Sequence, residues 1–238
     1  MSFSAPPAES DSTLWEDDGA AKLTVDMGLL QVLKEWRRFP GTSYGLEVHN
    51  LSNFLGKLYT VVSVAGFCQI WMFNGTAWSL AWDAQANGYT NIALWPSKIW
   101  NGILYWGGVF DNKAGILSYN GVAFTVTLIP GAAGSEIQGL AVFQNKLYAA
   151  STNRSVYSSA TPTVASSWAA AFTLTAGNGL CGLAVVYNAK LYIAETTGLP
   201  ALVDATTVGR IFSWDGTTLT AVYTIPDGLA VQDCAAVL

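Results

Sequence analysis

Three carboxylates, Glu47, Glu136 and Asp233, each sit in a short apolar run that reads as a strand. Two carboxylates brought together across a sugar, one as acid and one as base, could cleave a glycosidic bond. The same kind of run carries His49, Trp95 and Gln138, groups able to hydrogen-bond or stack on a ligand. His49 is the only histidine. A Ser-His-Asp triad or a histidine-based metal site would have to use it, and no HxxxH, HxH or Gly-x-Ser-x-Gly pattern supports either. Cys68, Cys181 and Cys234 form no CxxC and are odd in number. Buried free thiols are expected rather than a disulfide framework or a zinc knuckle. The residue types imply no metal and no cofactor.

What would position these groups is a repeat. Leu-Tyr recurs at Leu58-Tyr59, Leu104-Tyr105, Leu147-Tyr148 and Leu191-Tyr192, with Leu14-Trp15 as a weaker copy. The second residues of these pairs are 44, 46, 43 and 44 positions apart. A period in the forties holding several short strands predicts a β-propeller, a ring of four-stranded blades. Each copy has an apolar inner strand before its Leu-Tyr: EVHNLSNF (47–54), IALWPSKIW (92–100), EIQGLAVF (136–143) and LCGLAVVY (180–187). After the Leu-Tyr strand come an aromatic strand, a turn and an outer strand, as in QIWMF, Asn74-Gly75 and TAWSLAW. Asn120-Gly121 and Asp215-Gly216 stand at the same place in two further copies. Such dipeptides between alternating strands predict type I′ turns with positive φ at both central residues. In the third copy SSATPTVASS replaces the tight turn, and in the fourth TTGLPALVDATTVG is inserted between the second and third strands. Both predict long loops.

The chain ends on VQDCAAVL (231–238), an inner strand with no Leu-Tyr after it, whereas Leu14-Trp15 has no inner strand before it. The two orphans complement each other. Together they predict an all-β, five-bladed β-propeller over 12–238, closed by the C-terminal strand joining the N-terminal blade, with no open sheet edge at the seam. Strands near 12–18, 21–27 and 30–38 would complete that blade, although Leu29, Leu33 and Trp36 within 27–39 also suit an amphipathic helix. Residues 1–11 read as a flexible arm, ordered only by a partner. Aligned on Leu-Tyr, the inner strands bring His49, Trp95, Gln138 and Asp233 to one level around the axis, with Cys181 as the fifth. Glu47 and Glu136 fall one step away. The copies near Leu104 and Leu191 offer no carboxylate there, which favours the lining of a wet central channel over catalysis.

Trp71, Trp78, Trp168 and Trp214 fall where a blade buries aromatics against its neighbour. Trp82, Trp95, Trp100 and Trp106 repeat less well and cluster in two adjacent copies, so an aromatic surface is expected there.

Composition excludes several classes. Hydrophobic residues make up 51% and charged residues 11%, too apolar for a disordered chain. Apolar runs stop short of the ~18 residues a spanning helix needs, so no membrane insertion is expected. The opening MSFSAPPAESDS has no basic n-region or apolar h-region, hence no secretory signal. A net charge of −5, with 11 Lys+Arg spread thinly, argues against nucleic acid as a partner.

Asn145-Lys146-Leu147-Tyr148, followed by an apolar strand, and the Asn/Asp-Gly turns of its sister copies resemble the kelch-like and related repeat propellers over residues 12–238. Kelch blades carry a Gly-Gly pair after the second strand, which here only Gly107-Gly108 supplies, and the Gly-His…Trp-Asp signature of WD repeats is absent. Kelch-like likeness implies protein binding; five-bladed rings of known families are lectins or glycosidases. The neutral Gly/Ala/Thr/Trp-rich composition also resembles bacteriophage virion proteins. The resulting expectation is a non-enzymatic docking or recognition module. It would be a tail, fibre or capsid-surface component of a virion, working as a symmetric homo-oligomer against other virion or assembly proteins or a host-surface glycan. The alternative is a lectin or a glycoside hydrolase.

Overall fold

The structure, a computed structural model, describes residues 47–64, 67–174, 180–196 and 210–224, with 47–49, 64, 67, 180–183 and 195–196 described through their backbone only. The described chain is all-β. The first sheet is β1 (Glu47–Phe54), β2 (Lys57–Val64), β3 (Phe67–Phe73) and β4 (Trp78–Asp83). The second is β5 (Ile92–Trp100), β6 (Ile103–Phe110), β7 (Lys113–Tyr119) and β8 (Phe124–Ala133). The third is β9 (Ile137–Phe143), β10 (Lys146–Ser151), β11 (Ser155–Ser159) and β12 (Ala169–Thr173). The fourth is β13 (Leu180–Tyr187), β14 (Lys190–Thr196), β15 (Arg210–Trp214) and β16 (Leu219–Thr224). Each is an antiparallel meander paired in sequence order. The inner strands β1, β5, β9 and β13 pack against one another in succession, so the sheets are arrayed face to face as blades of a propeller-like arc. Residues 12–38 and 231–238, where the first blade and the closing strand are expected, lie outside the described residues, as does the arm 1–11.

The Leu-Tyr pair is what joins blade to blade. A strand inside a stack of sheets has no wet face, so consecutive side chains enter two different cores. Leu104 lies in the core shared with the first sheet, and Tyr105 in the core shared with the third. Leu147 packs toward the second sheet and Tyr148 toward the fourth. Tyr59 and Leu191 follow the same rule from the two ends of the arc. The leucine thus faces the preceding blade and the tyrosine the following one. Burying each such side chain contributes about 1.5–3 kcal/mol, which is why the pair recurs once per blade.

Turn chemistry differs from the expectation. Two consecutive positive φ values occur not at Asn74-Gly75, Asn120-Gly121 or Asp215-Gly216 but at Asp111-Asn112, between β6 and β7, and in each turn between an inner strand and the next: Leu55-Gly56, Asn101-Gly102, Gln144-Asn145 and Asn188-Ala189. The inner strands and their partners close on the pairs Phe54↔Lys57, Trp100↔Ile103, Phe143↔Lys146 and Tyr187↔Lys190, leaving the two-residue loop that a type I′ turn fits. The outer hairpins close on Phe73↔Trp78, Tyr119↔Phe124 and Trp214↔Leu219. Their four-residue loops place positive φ on glycine alone, at Gly75, Gly121 and Gly216. There the side chain before the glycine organises the turn. Asn74 Oδ1 accepts from the backbone N–H of Thr76 and of Ala77, both at 3.0 Å. Asn120 Oδ1 accepts from Val122 and Ala123, both at 2.9 Å. In the third sheet the expected longer loop is present, holding a 3-10 turn at Ala165–Ser167 and a bond from Trp168 Nε1–H to Pro162 O at 3.0 Å.

Gly107-Gly108 has a steric role. A Cβ on Gly108 would stand 1.9 Å from Ala93 O, and one on Gly107 would stand 2.5 Å from Ile137 Cγ2. The diglycine therefore lets β6 approach both its inner strand and the next blade.

Candidate functional site at the inner strands

All four inner strands break register at the same level. In β1 the pairing skips Asn50, which has φ 51. In β5 Trp95 and Pro96 together oppose one residue of β6, and in β13 Gly182 and Leu183 oppose one residue of β14. In β9 Gln138 is the extra residue. Each irregularity lies nine or ten positions before the tyrosine of its copy. Bulges turn side chains out of the strand's alternation and are over-represented beside binding sites. Here they fall on the strands that converge along one line, so the four blades present one ring of re-aimed positions.

Two of the sequence candidates belong to this ring directly. Trp95 is half-buried within the β5 bulge. Gln138, also half-buried, donates from Nε2 to Glu136 Oε1 at 2.5 Å. Glu136 is fixed by its backbone: its N–H donates to Thr152 Oγ1 and its carbonyl accepts from the Thr152 N–H, both at 3.0 Å. The amide and the carboxylate are thus joined as one hydrogen-bonded unit. For Glu47 and His49 the structure gives the backbone only, paired with Ser63 and Val61 on β2, just before the Asn50 bulge. Cys181 pairs through its backbone with Glu195. Asp233 lies outside the described residues. Across the first two blades, Ser52 and Ser97 hydroxyls meet at 2.8 Å, tying adjacent inner strands together.

The expected aromatic surface is not what the structure shows for two of its members. Trp106 has no exposed surface, and Trp82 is buried beside it in the core between the first and second sheets. Trp106 stacks on Phe124 with centroids 6.2 Å apart, and Trp82 stands 6.4 Å from both Phe124 and Tyr89. They repeat poorly because they fill a space specific to this pair of blades. Trp100 is half-buried against the core between the second and third sheets. Of the four, Trp95 is the one at the bulge ring.

Sequence reasoning also missed where the other acids act. Asp83 accepts from Gln69 Nε2 at 2.6 Å and from the Ala86 N–H at 2.9 Å, and Gln69 Oε1 in turn accepts from Trp71 Nε1. The Ala86 bond, helped by the Gln69 bond, holds its carboxyl below the usual range against burial, which pushes the other way. Asp111 accepts from the N–H groups of Asn91 and Thr90, which lower its pKa in the same way and pin the connection leading into β5. A single aspartate beside a turn residue carries no sequence signal that separates such capping from chemistry. Cys68 is buried, and burial pushes its thiol up to about 12, as suits an inert core residue.

No family model matches this chain, and no curated protein matches it. Among solved structures it is similar to a GH74 enzyme from Niastella koreensis, with 16% identity and a TM-score of 0.49 over 74% of this chain. The chain spans about 30% of that enzyme's length. It is similar to an α-L-arabinofuranosidase from Clostridium thermocellum, with 14% identity, a TM-score of 0.47 and coverage of 78% of this chain and 74% of the enzyme. A computationally designed protein, Ika4, gives 11% identity and a TM-score of 0.45, covering 74% of this chain and 94% of the design.

Proposed function

We propose that the chain is a carbohydrate-recognition propeller whose ligand sits where the inner strands converge. The observation that supports this reading is the shared bulge level, which brings an indole, Trp95, and a coupled carboxylate and amide, Glu136 and Gln138, onto the same ring of positions. An aromatic face stacks on the apolar face of a sugar, and planar carboxylate and amide groups take its hydroxyls; few such polar groups in a concave site suffice for orientation. Hydrolysis requires a second carboxylate. Recognition is the primary reading, and turnover, with Glu47 or Asp233 as the partner of Glu136, is its rival. A glycan array read beside a hydrolysis screen tests both. Binding abolished by Trp95→Ala and weakened by Glu136→Gln is the expected result. Release of reducing sugar that vanishes in Glu136→Gln would replace recognition with catalysis, and no binding to any glycan would end the reading.

A second reading, docking onto other assembly proteins such as those of a virion, is favoured by exposed apolar side chains at the hairpin turns. Leu55 is 67% and Val122 90% exposed. In both readings the arc of four sheets is the larger part of a five-bladed ring. Residues 12–38 and 231–238, outside the described residues, would supply the fifth blade.

A further inference from the structure

Charge is sorted between the two rims of the arc. Inner and outer hairpin turns lie on one rim, since Gln144 Nε2 donates to Asp215 O at 2.9 Å and Leu55 abuts Gly121 of the next blade. Each described blade places one exposed lysine at the inner-turn end of its inner hairpin. Lys57, Lys146 and Lys190 follow the inner turns, and Lys98 stands near the end of β5 opposite Tyr105. None of Lys57, Lys98 and Lys146 is engaged by a described carboxylate. Asp215 is the one acid on this rim among the described residues. Its Oδ1 is taken by the N–H groups of Thr217 and Thr218 at 2.8 and 2.7 Å. Between the lysines stand exposed carboxamides within the inner turns, Asn101, Asn145 and Asn188. Beside Lys190 stands Tyr187, 52% exposed. This concentration of cations runs against a net charge of −5.

The geometry points to this rim as a second binding surface, for an anionic polysaccharide. One exposed lysine per blade offers repeated cations to a chain that carries carboxylates or sulfates, the carboxamides take hydroxyls, and Tyr187 offers a stacking face. Duplex DNA, with one charge per ~1.7 Å, is too dense for cations this sparse on an acidic protein. The surface is separate from the bulge ring and does not depend on a sugar binding there.

The probes are polygalacturonate and heparin, with neutral dextran and duplex DNA as comparisons, titrated at low and high salt. Both polysaccharides bind at low salt and weaken as salt rises. Each single Lys→Gln change at Lys57, Lys98, Lys146 or Lys190 weakens binding roughly two- to five-fold, as for exposed ion pairs, and the quadruple change abolishes it. Lys113→Gln, on the opposite rim, leaves it unchanged. All these side chains are exposed or half-buried, and thermal melts confirm that each variant is folded. The proposal is overturned if neither polysaccharide binds, if the quadruple variant binds like the parent, or if duplex DNA binds as tightly as the polysaccharides. Loss of neutral-glycan binding in Trp95→Ala with these affinities intact would bear on the bulge ring alone.

Discussion

Cys68 shows how a single residue records its place in the stack. Its thiol lies in the core between the first two blades, where burial disfavours the thiolate and a backbone contact with Leu94 only partly offsets that. The pKa rises from 9.0 to about 12. A raised pKa on an acid means that the unfolded chain loses this proton first. The associated stability is therefore complete below pH ~8.5 and is lost as pH rises from there toward about 12. Tyr59, pushed up to about 12 chiefly by burial and then by its hydrogen bond with Tyr119, acts in the same direction. Peptide-resolved alkylation at pH 8 is expected to leave Cys68 unlabelled in the native protein and to label it fully in urea. The denaturation midpoint should fall between pH 9 and 11, less steeply in Cys68→Ala. Native Cys68 labelled as fast as in urea would refute this placement.

At the level of elements, the strands were legible in the sequence and the turns were not. EVHNLSNF, IALWPSKIW and LCGLAVVY coincide with β1, β5 and β13, and EIQGLAVF overshoots β9 by one residue, because an apolar run between turn signals has one way to satisfy its backbone in an all-β chain. Asn-Gly says only that positive φ is tolerated. Which turn forms depends on how many residues lie between the closing pair, and that is set by register. The tight I′ turns accordingly include Leu55-Gly56 and Asn188-Ala189, neither of which announces itself. The bulge ring was legible only as a shared level of His49, Trp95 and Gln138, since no residue type marks a register shift. Trp82 and Trp106, expected at a surface because they repeat poorly, instead fill the core specific to the first two blades. Ala189 holds φ 56 in its turn, a left-handed conformation that costs a non-glycine residue roughly 1–2 kcal/mol. Ala189→Gly relieves that strain but loosens the unfolded chain, which works against it by about 0.4–1 kcal/mol. A net gain near 0.5–1 kcal/mol, seen as a melting temperature higher by a degree or two, is the expected outcome. A lower melting temperature would show that this turn is not of the I′ type.

For the whole molecule, the ends of the arc are the informative places. Leu104, Leu147 and Leu191 are fully buried against a preceding blade, and Tyr59, Tyr105 and Tyr148 nearly so against a following one. Leu58, which faces back from the first sheet, and Tyr192, which faces forward from the fourth, are only half-buried. In the proposed five-bladed ring these two positions would face the fifth blade. Val62 and Phe73, on the outward side of the first sheet, are already buried, so something covers part of that face. A fifth blade built from 12–38 and completed by 231–238 would meet both ends at once and leave no unpaired inner edge. Removal of 229–238 then strips one blade of its inner strand, and a domain with about 5–15 kcal/mol of stability does not survive such a loss. The truncated chain is expected to be insoluble or to aggregate, whereas deletion of residues 1–11 leaves the melting temperature nearly unchanged. Hydrogen exchange on the intact chain separates the alternatives further: with a closed ring, the amides of residues 231–238 exchange as slowly as those of β5 and β9. Fast exchange there, together with a soluble truncated protein that melts like the parent, would mean that the ring is not closed by this strand and that Leu58 and Tyr192 are covered by another partner.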